Sequence, residues 1–111
     1  VNISSIFGMC TKNERGGYSA SKSGLIGITR TMAQDLAPWG ITANAIAPGP
    51  ISTPLTDRMV QGELREYFNS MLLGRWGKPE DLIGPVLLLA SDAGSFITGT
   101  TLTVDGGWMT H

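Results

Sequence analysis

The chain holds one cysteine, Cys10, and one histidine, His111. A single cysteine excludes an internal disulfide and fits a reducing compartment. Beside Met9 in a loop, Cys10 reads as a bystander rather than a nucleophile. With one terminal histidine, expected to be disordered, and no Cys/His/Asp/Glu cluster at ligand spacing, no metal site is expected. Charge is also scarce: charged residues make up 15% of the 111, and the formal net charge is −1. Without a lysine or arginine run, nucleic-acid or anionic-membrane binding has little electrostatic support. Long apolar runs are missing as well. The longest, from Leu82 to Ala90, falls well short of a membrane span. No charged-then-apolar leader opens the sequence, so the expectation is a soluble, cytoplasmic protein.

What is present is apolar. Hydrophobic residues reach 41%, which leaves the surface under-charged for an isolated small domain. A partner subunit or further chain is expected to cover part of it. The length supports one small domain at most. Val1 opens directly into V-N-I-S-S, which reads as the tail of a strand, so the chain is expected to be the C-terminal part of a longer protein.

Periodicity organises the rest. Val1 to Ser4 is a short β-type run, followed by a loop with a charged tip at Lys12-Asn13-Glu14-Arg15. Tyr18 to Ala37 is helical, with Leu25, Ile28, Met32 and Leu36 forming one apolar stripe. A second stripe of Ala20, Gly24, Gly27 and Thr31 is small, which implies close approach of another backbone, either the sheet or a second subunit's helix. Pro38 and Gly40 end this helix. Ile41 to Ala47 reads as a buried strand. It runs into Pro48-Gly49-Pro50-Ile51-Ser52-Thr53-Pro54, a stiff loop where strand pairing is expected to stop. Thr53-Pro54 starts a helix. Leu55 to Leu73 is amphipathic, with Leu55, Met59, Leu64, Phe68 and Met71 on one side and Gly62 as a divider. Lys78-Pro79-Glu80-Asp81 opens a further helix that is apolar nearly all round to Ala90 and is expected to be buried on more than one side. Thr100 to Val104 is the last strand and Asp105-Gly106-Gly107 a turn. The order β-α-β-α-α-β with short connections points to an α/β fold with parallel strands and helical crossovers. Ligands in such sheets sit beyond the carboxyl ends of the strands.

That edge is where the candidate chemistry falls. Tyr18 and Lys22 lie four residues apart in Y-S-A-S-K, and Ser5 ends N-I-S-S thirteen residues upstream of Tyr18. On a helix, positions four apart share a face. A free tyrosine has a pKa near 10 and exchanges protons poorly at neutrality. A nearby ammonium favours the phenolate and suits the tyrosine to general acid or base work. Ser5 could hydrogen-bond the oxygen that gains or loses the proton. Tyr-x-x-x-Lys also occurs in many helices on faces without chemistry.

N-I-S-S at 2–5, Y-S-A-S-K at 18–22, N-A-I-A-P-G-P-I-S-T at 44–53, G-R-W-G-K-P-E-D at 74–81 and V-D-G-G at 104–107 together resemble the classical short-chain dehydrogenase/reductase family. The resemblance runs the whole length of the chain. It implies the C-terminal, catalytic half of a Rossmann-like doubly wound parallel sheet, and a nicotinamide cofactor, NAD or NADP. Tyr18 would then exchange the proton with a substrate carbonyl or alcohol. Lys22 would lower the Tyr18 pKa and bond the nicotinamide ribose, and Ser5 would orient the substrate oxygen. Pro48, Gly49, Ile51 and Thr53 would line the nicotinamide, with the Ile51 backbone and the Thr53 hydroxyl near its carboxamide. The segment after Thr53 resembles a substrate-binding lid. The helix from Tyr18 to Ala37 and the terminal segment resemble subunit interfaces, implying a homodimer or homotetramer. The stretches G-R-W-G-K-P-E-D and V-D-G-G-W are similar to those of sugar-acid dehydrogenases and of 3-oxoacyl carrier-protein reductases, so sugar acids, polyols or 3-oxoacyl compounds are the expected substrates.

Each feature also has a plainer reading: Pro48-Gly49 as a stiff strand exit, Thr53 as a helix cap, Asn44 as structural. The family's glycine-rich phosphate loop, the residue that selects NAD from NADP, and its relay asparagine do not occur within these residues. A non-catalytic fragment serving as a dimerisation or interaction module is therefore the alternative function. Epimerisation or dehydration with bound cofactor is a third.

Overall fold

Strand β1 (Asn2–Ile3) pairs in parallel with β2 (Ala45–Pro48), and β2 pairs in parallel with β3 (Thr101–Val104). The sheet order is therefore β1-β2-β3. The computed structural model describes every residue except 63, 64, 67, 68, 70 and 111, and only the backbone of Met59. Parallel neighbours cannot be joined by a hairpin, so each connection is a crossover. The first contains helix α1 (Gly16–Leu36), the second α2 (Pro54–Met59) and α3 (Ile83–Ala90). This is the expected parallel α/β architecture.

Ala45, Ile46 and Ala47 are fully buried, as a strand covered on both faces requires. The strand is nonetheless shorter at its start than the run from Ile41 suggested. Asn44 replaces the backbone ladder there with its own side chain. Its Nδ2 donates to Ile97 O at 2.7 Å, and its Oδ1 accepts from Thr100 N at 3.1 Å. At the other end, pairing continues through Pro48 opposite Val104, where it was expected to stop. Ala45 N and Gly49 N bond toward β3, whereas Ile46 O accepts from Ser4 N on the β1 side. Pro48 therefore turns its missing N–H toward β1 where that strand has already ended, a position proline tolerates.

Helix α1 begins two residues before Tyr18 and passes into a 3-10 turn at Ala37–Trp39, closed by Gly40 at φ 70°. Its buried face is not the expected stripe. Ile28 is 55% and Met32 37% exposed, whereas Ser19, Ile26, Thr29 and Ala33 are buried. Polar anchors explain the rotation. Asn2 Nδ2 donates to Thr29 Oγ1 at 2.9 Å, and Ser4 Oγ donates to Lys22 O at 2.9 Å. Gly24 and Gly27 have open space where a Cβ would stand, so the sheet is not what they approach. Within this chain the close approach is at Gly8. A Cβ there would meet Ile26 Cδ1 and Ser4 Oγ at 2.8 Å and Lys22 O at 2.9 Å.

Thr53 and Pro54 start α2 as expected, and the helix ends at Met59, ahead of Gly62 at φ 58°. Of the apolar side expected there, Met71 is buried and Leu55 exposed; Leu64 and Phe68 lie outside the described residues, as does His111. Helix α3 departs from expectation. Only Leu89 is buried in it, while Ile83 and Leu87 are exposed, and Phe96 beyond it is exposed entirely. The shortage of charge thus reappears as uncovered apolar surface on this chain. The Cα radius of gyration, 14.8 Å, exceeds the ~13 Å typical of a closed domain this long. Among the described residues no helix is long and apolar enough to cross a membrane.

Candidate active site

Beyond Ile3 the chain stays extended through Ser5 (φ −164°) and then turns at Ile6–Gly8. Ser5 is buried, and its Oγ accepts the Phe7 N–H at 3.1 Å. That bond uses an acceptor position and leaves the Ser5 O–H to donate elsewhere. The turn is fixed to α1 by the Gly8 contact and by Ser23 Oγ, which donates to Gly8 O at 2.9 Å. Ser5 is thereby held in a set position relative to the first turns of α1.

Tyr18 stands in the first turn of α1, half exposed, with its ring edge-on to Phe7 at 6.3 Å between centroids. Phe7 packs similarly on Trp108 at 6.4 Å. One helical turn along, Lys22 places Nζ 5.7 Å from the Tyr18 ring centroid. The same ammonium donates to Ile3 O at 3.0 Å. The four-residue spacing has put both groups on one face, and the lysine charge is tethered to the end of β1.

A cleft of about 330 Å³ opens here, and Ser5, Tyr18, Gly49, Ile51 and Thr53 line it. Five of the seven residues singled out in the sequence therefore meet. Pro48 and Lys22 do not line the cleft: Pro48 belongs to β2, and Lys22 is bonded to β1. Gly49 has a packing reason of its own, since a Cβ there would lie 2.7 Å from Asp105 Cα. Ile51 forms a parallel bridge with Gly77 through Pro50 O and Ser52 N. That pattern leaves the Ile51 N–H outside the pairing. Thr53 caps α2 by accepting the Thr56 N–H at 3.2 Å, while Thr56 Oγ1 accepts Thr53 N–H at 2.8 Å.

The cleft also takes in Phe7, Arg15, Thr56, Val60 and Trp76, which the sequence reading did not place there. Arg15, three residues before Tyr18, could have been found from helical spacing. Trp76 arrives through the long-range bridge at Gly77, which no local signal marks. Cys10 stays outside: its thiol donates to Ile6 O at 3.2 Å, and burial, then the charge of Asp105, raises its pKa. A thiol held protonated is a poor nucleophile. Asp81, on the far side of Ile51, is lowered to about 2, chiefly by hydrogen bonds from Arg75 and then by the Lys78 N–H. The arrangement presents two hydroxyls at one end of a mostly apolar cleft with a fixed cation behind one of them. It can exchange a proton with an oxygen bound between Ser5 and Tyr18.

A family model described as enoyl-(acyl carrier protein) reductase matches residues 1–109. The 3-oxoacyl-(acyl-carrier-protein) reductase FabG of Thermotoga maritima is 42% identical over 107 residues, which are 96% of this chain and 44% of that protein. Among solved structures, 4-hydroxyisoleucine dehydrogenase complexed with NADH is 38% identical with a TM-score of 0.91, over 99% of this chain and 46% of that one. Gluconate 5-dehydrogenase from Burkholderia cenocepacia, in complex with NADP and tartrate, is 34% identical with a TM-score of 0.91, over 99% of this chain and 44% of that one. The chain thus spans just under half the length of these relatives.

Proposed function

The chain belongs to the short-chain dehydrogenase/reductase family, and on that footing we propose that the protein carrying it is an NAD(P)-dependent oxidoreductase that interconverts a secondary alcohol and a ketone. The observation that carries this reading is the convergence of Ser5 and Tyr18 in one cleft with Lys22 tethered 5.7 Å from the phenol ring. In reduction, the Tyr18 hydroxyl gives its proton to the substrate oxygen; in oxidation, the phenolate takes it back. The Lys22 ammonium offsets the negative charge that develops on the phenol oxygen. Ser5, its acceptor side occupied by the Phe7 N–H, donates its own proton to the same substrate oxygen and holds it facing Tyr18. Phe7, Val60 and Trp76 form an apolar wall beside the reacting oxygen.

The residues beyond β2 suit a nicotinamide ring. Gly49 adds no side chain, the Ile51 N–H lies outside the strand bridge, and Thr53 presents a hydroxyl. When bound, the nicotinamide supplies or accepts the hydride. Either NAD or NADP fits these residues, because the contacts proposed for them are to the nicotinamide and its ribose, which the two cofactors share. The substrates we propose are sugar acids, polyols or 3-oxoacyl compounds. The exposed Ile28 and Met32 on α1, with Phe96, support assembly as a homodimer or homotetramer.

The test is absorbance of reduced nicotinamide in the natural full-length polypeptide. A panel of hydroxy acids, polyols and 3-oxoacyl thioesters is offered with each cofactor and in both directions. Turnover of at least one substrate is expected. A folded, full-length protein that binds neither cofactor and turns over nothing would overturn the proposal.

A further inference from the structure

We infer that Arg15 holds a carboxylate of the substrate, so that the site takes an anionic hydroxy or keto acid in preference to a polyol or a neutral acyl thioester. This rests on the oxidoreductase reading above and narrows its substrate class. Among the described residues that line the cleft, Arg15 is the one that carries charge. The other described lining groups are hydroxyls, aromatics, aliphatics or turn residues. Placed three residues before Tyr18 at the start of α1, it lies on the tyrosine's side of the helix.

Two observations indicate that this placement serves a ligand. Among the described residues no carboxylate pairs with Arg15; the ion pair they contain is Arg75 with Asp81. A part-buried arginine beside an apolar wall, with no carboxylate partner among the described residues, is completed by an anion from outside. The backbone also bends to present it. Glu14, immediately before, is the one described non-glycine residue in the left-handed region, at φ 64°. Arg15 N donates back to Lys12 O at 3.2 Å in the same turn. A residue with a Cβ adopts that conformation at a cost, and here the turn delivers Arg15 to the cleft where an ordinary loop would release it to solvent.

The chemistry follows from the two ends of the cleft. The guanidinium fork matches a carboxylate with two parallel hydrogen bonds, whereas a neutral hydroxyl engages it at one. Ser5 and Tyr18 take the oxygen that is oxidised or reduced, and Arg15 takes the acid group. The substrate is thereby gripped at two points with its reacting carbon between them. Ile6, Phe7, Leu55 and Val60 supply the apolar surface that strengthens the charge contact.

The experiment compares a hydroxy acid such as gluconate with its methyl ester and with the polyol of the same carbon skeleton. It uses the full-length wild type, Arg15→Met and Arg15→Lys. The readout is the ratio of kcat/KM for the acid to that for the neutral compounds, which cancels any general loss of folding or activity. The acid is expected to be preferred by the wild type. Arg15→Met should lower that ratio about tenfold to a hundredfold, and Arg15→Lys should restore part of it. Equilibrium binding of tartrate, followed by calorimetry, should weaken in Arg15→Met by a similar factor. An unchanged ratio, or tartrate binding that is indifferent to Arg15, overturns the inference while leaving the oxidoreductase reading standing. Tartrate binding that depends on Arg15 without turnover of any alcohol supports the anion site and overturns the reaction instead.

Discussion

Lys22→Met removes the cation one helical turn along from Tyr18 while keeping a side chain of similar length and shape. The ammonium stands 5.7 Å from the centre of the tyrosine ring. At that separation one unit charge is worth about 3 kcal/mol to another at an effective dielectric near 20, and about 0.7 kcal/mol in bulk water. Tyr18 is 47% exposed, so the figure belongs between the limits, about 1–2 kcal/mol. Placed on the transition state, that is a loss of about fivefold to thirtyfold in kcat. The variant also deprives Ile3 O of its charged donor, so thermal denaturation is measured alongside to separate folding from chemistry. The decisive assay is a double-mutant cycle with Tyr18→Phe, read as single-turnover rates in the full-length protein. If the lysine works through the tyrosine, Lys22→Met should cost little once the phenol is gone. Added propylammonium should recover part of the activity of the single Lys22→Met variant. Losses that add independently, or a loss under twofold in a folded variant, would refute the electrostatic argument.

Gly49→Ala should destabilise the protein by about 1–3 kcal/mol, because the new Cβ would lie 2.7 Å from the Asp105 backbone; urea denaturation measures it, and a neutral result would mean that β2 and β3 end farther apart than described. Asn44→Ala should cost about 2–4 kcal/mol, since Ile97 O and Thr100 N each lose a buried partner; a shift in denaturation midpoint of less than a quarter of that contradicts the side-chain rung. The Asp81 carboxyl, lowered to about 2 in the folded chain by Arg75 and the Lys78 N–H, stabilises the fold above its unfolded pKa near 4 and loses that contribution as pH falls from about 4 through about 2. Asp81→Asn should flatten this acid limb by a small, salt-sensitive amount, because the pair is exposed.

Spacing along one helix made Tyr18 and Lys22 legible, since residues four apart meet whatever the rest of the fold does. Parallel topology carried Ser5 and the segment from Gly49 to Thr53 to the same sheet edge. What sequence did not disclose was non-local or polar. Hydropathy ranks Ile28 and Met32 above Ser19 and Thr29, yet the latter pair is buried because Thr11 Oγ1 and Asn2 Nδ2 bond to them. Asn44 shortens β2 through bonds to residues more than fifty positions away. Gly24 and Gly27, expected to admit the sheet or a second subunit's helix, do not meet the sheet, whereas Gly8 and Gly49 make the close contacts within the chain that set the cleft. Helix α3 looks like core by composition and is mostly uncovered here, because hydrophobicity says that a surface will be buried without saying by what.

The proposed reaction stands on Tyr18 carrying the proton. Single-turnover hydride transfer in the full-length protein, followed by the absorbance of reduced nicotinamide for wild type and Tyr18→Phe, addresses that directly, because the variant removes one oxygen from an exposed position and should leave denaturation unchanged. A fall of a hundredfold or more is expected, with cofactor binding retained. Turnover within tenfold of wild type in the folded variant would contradict it.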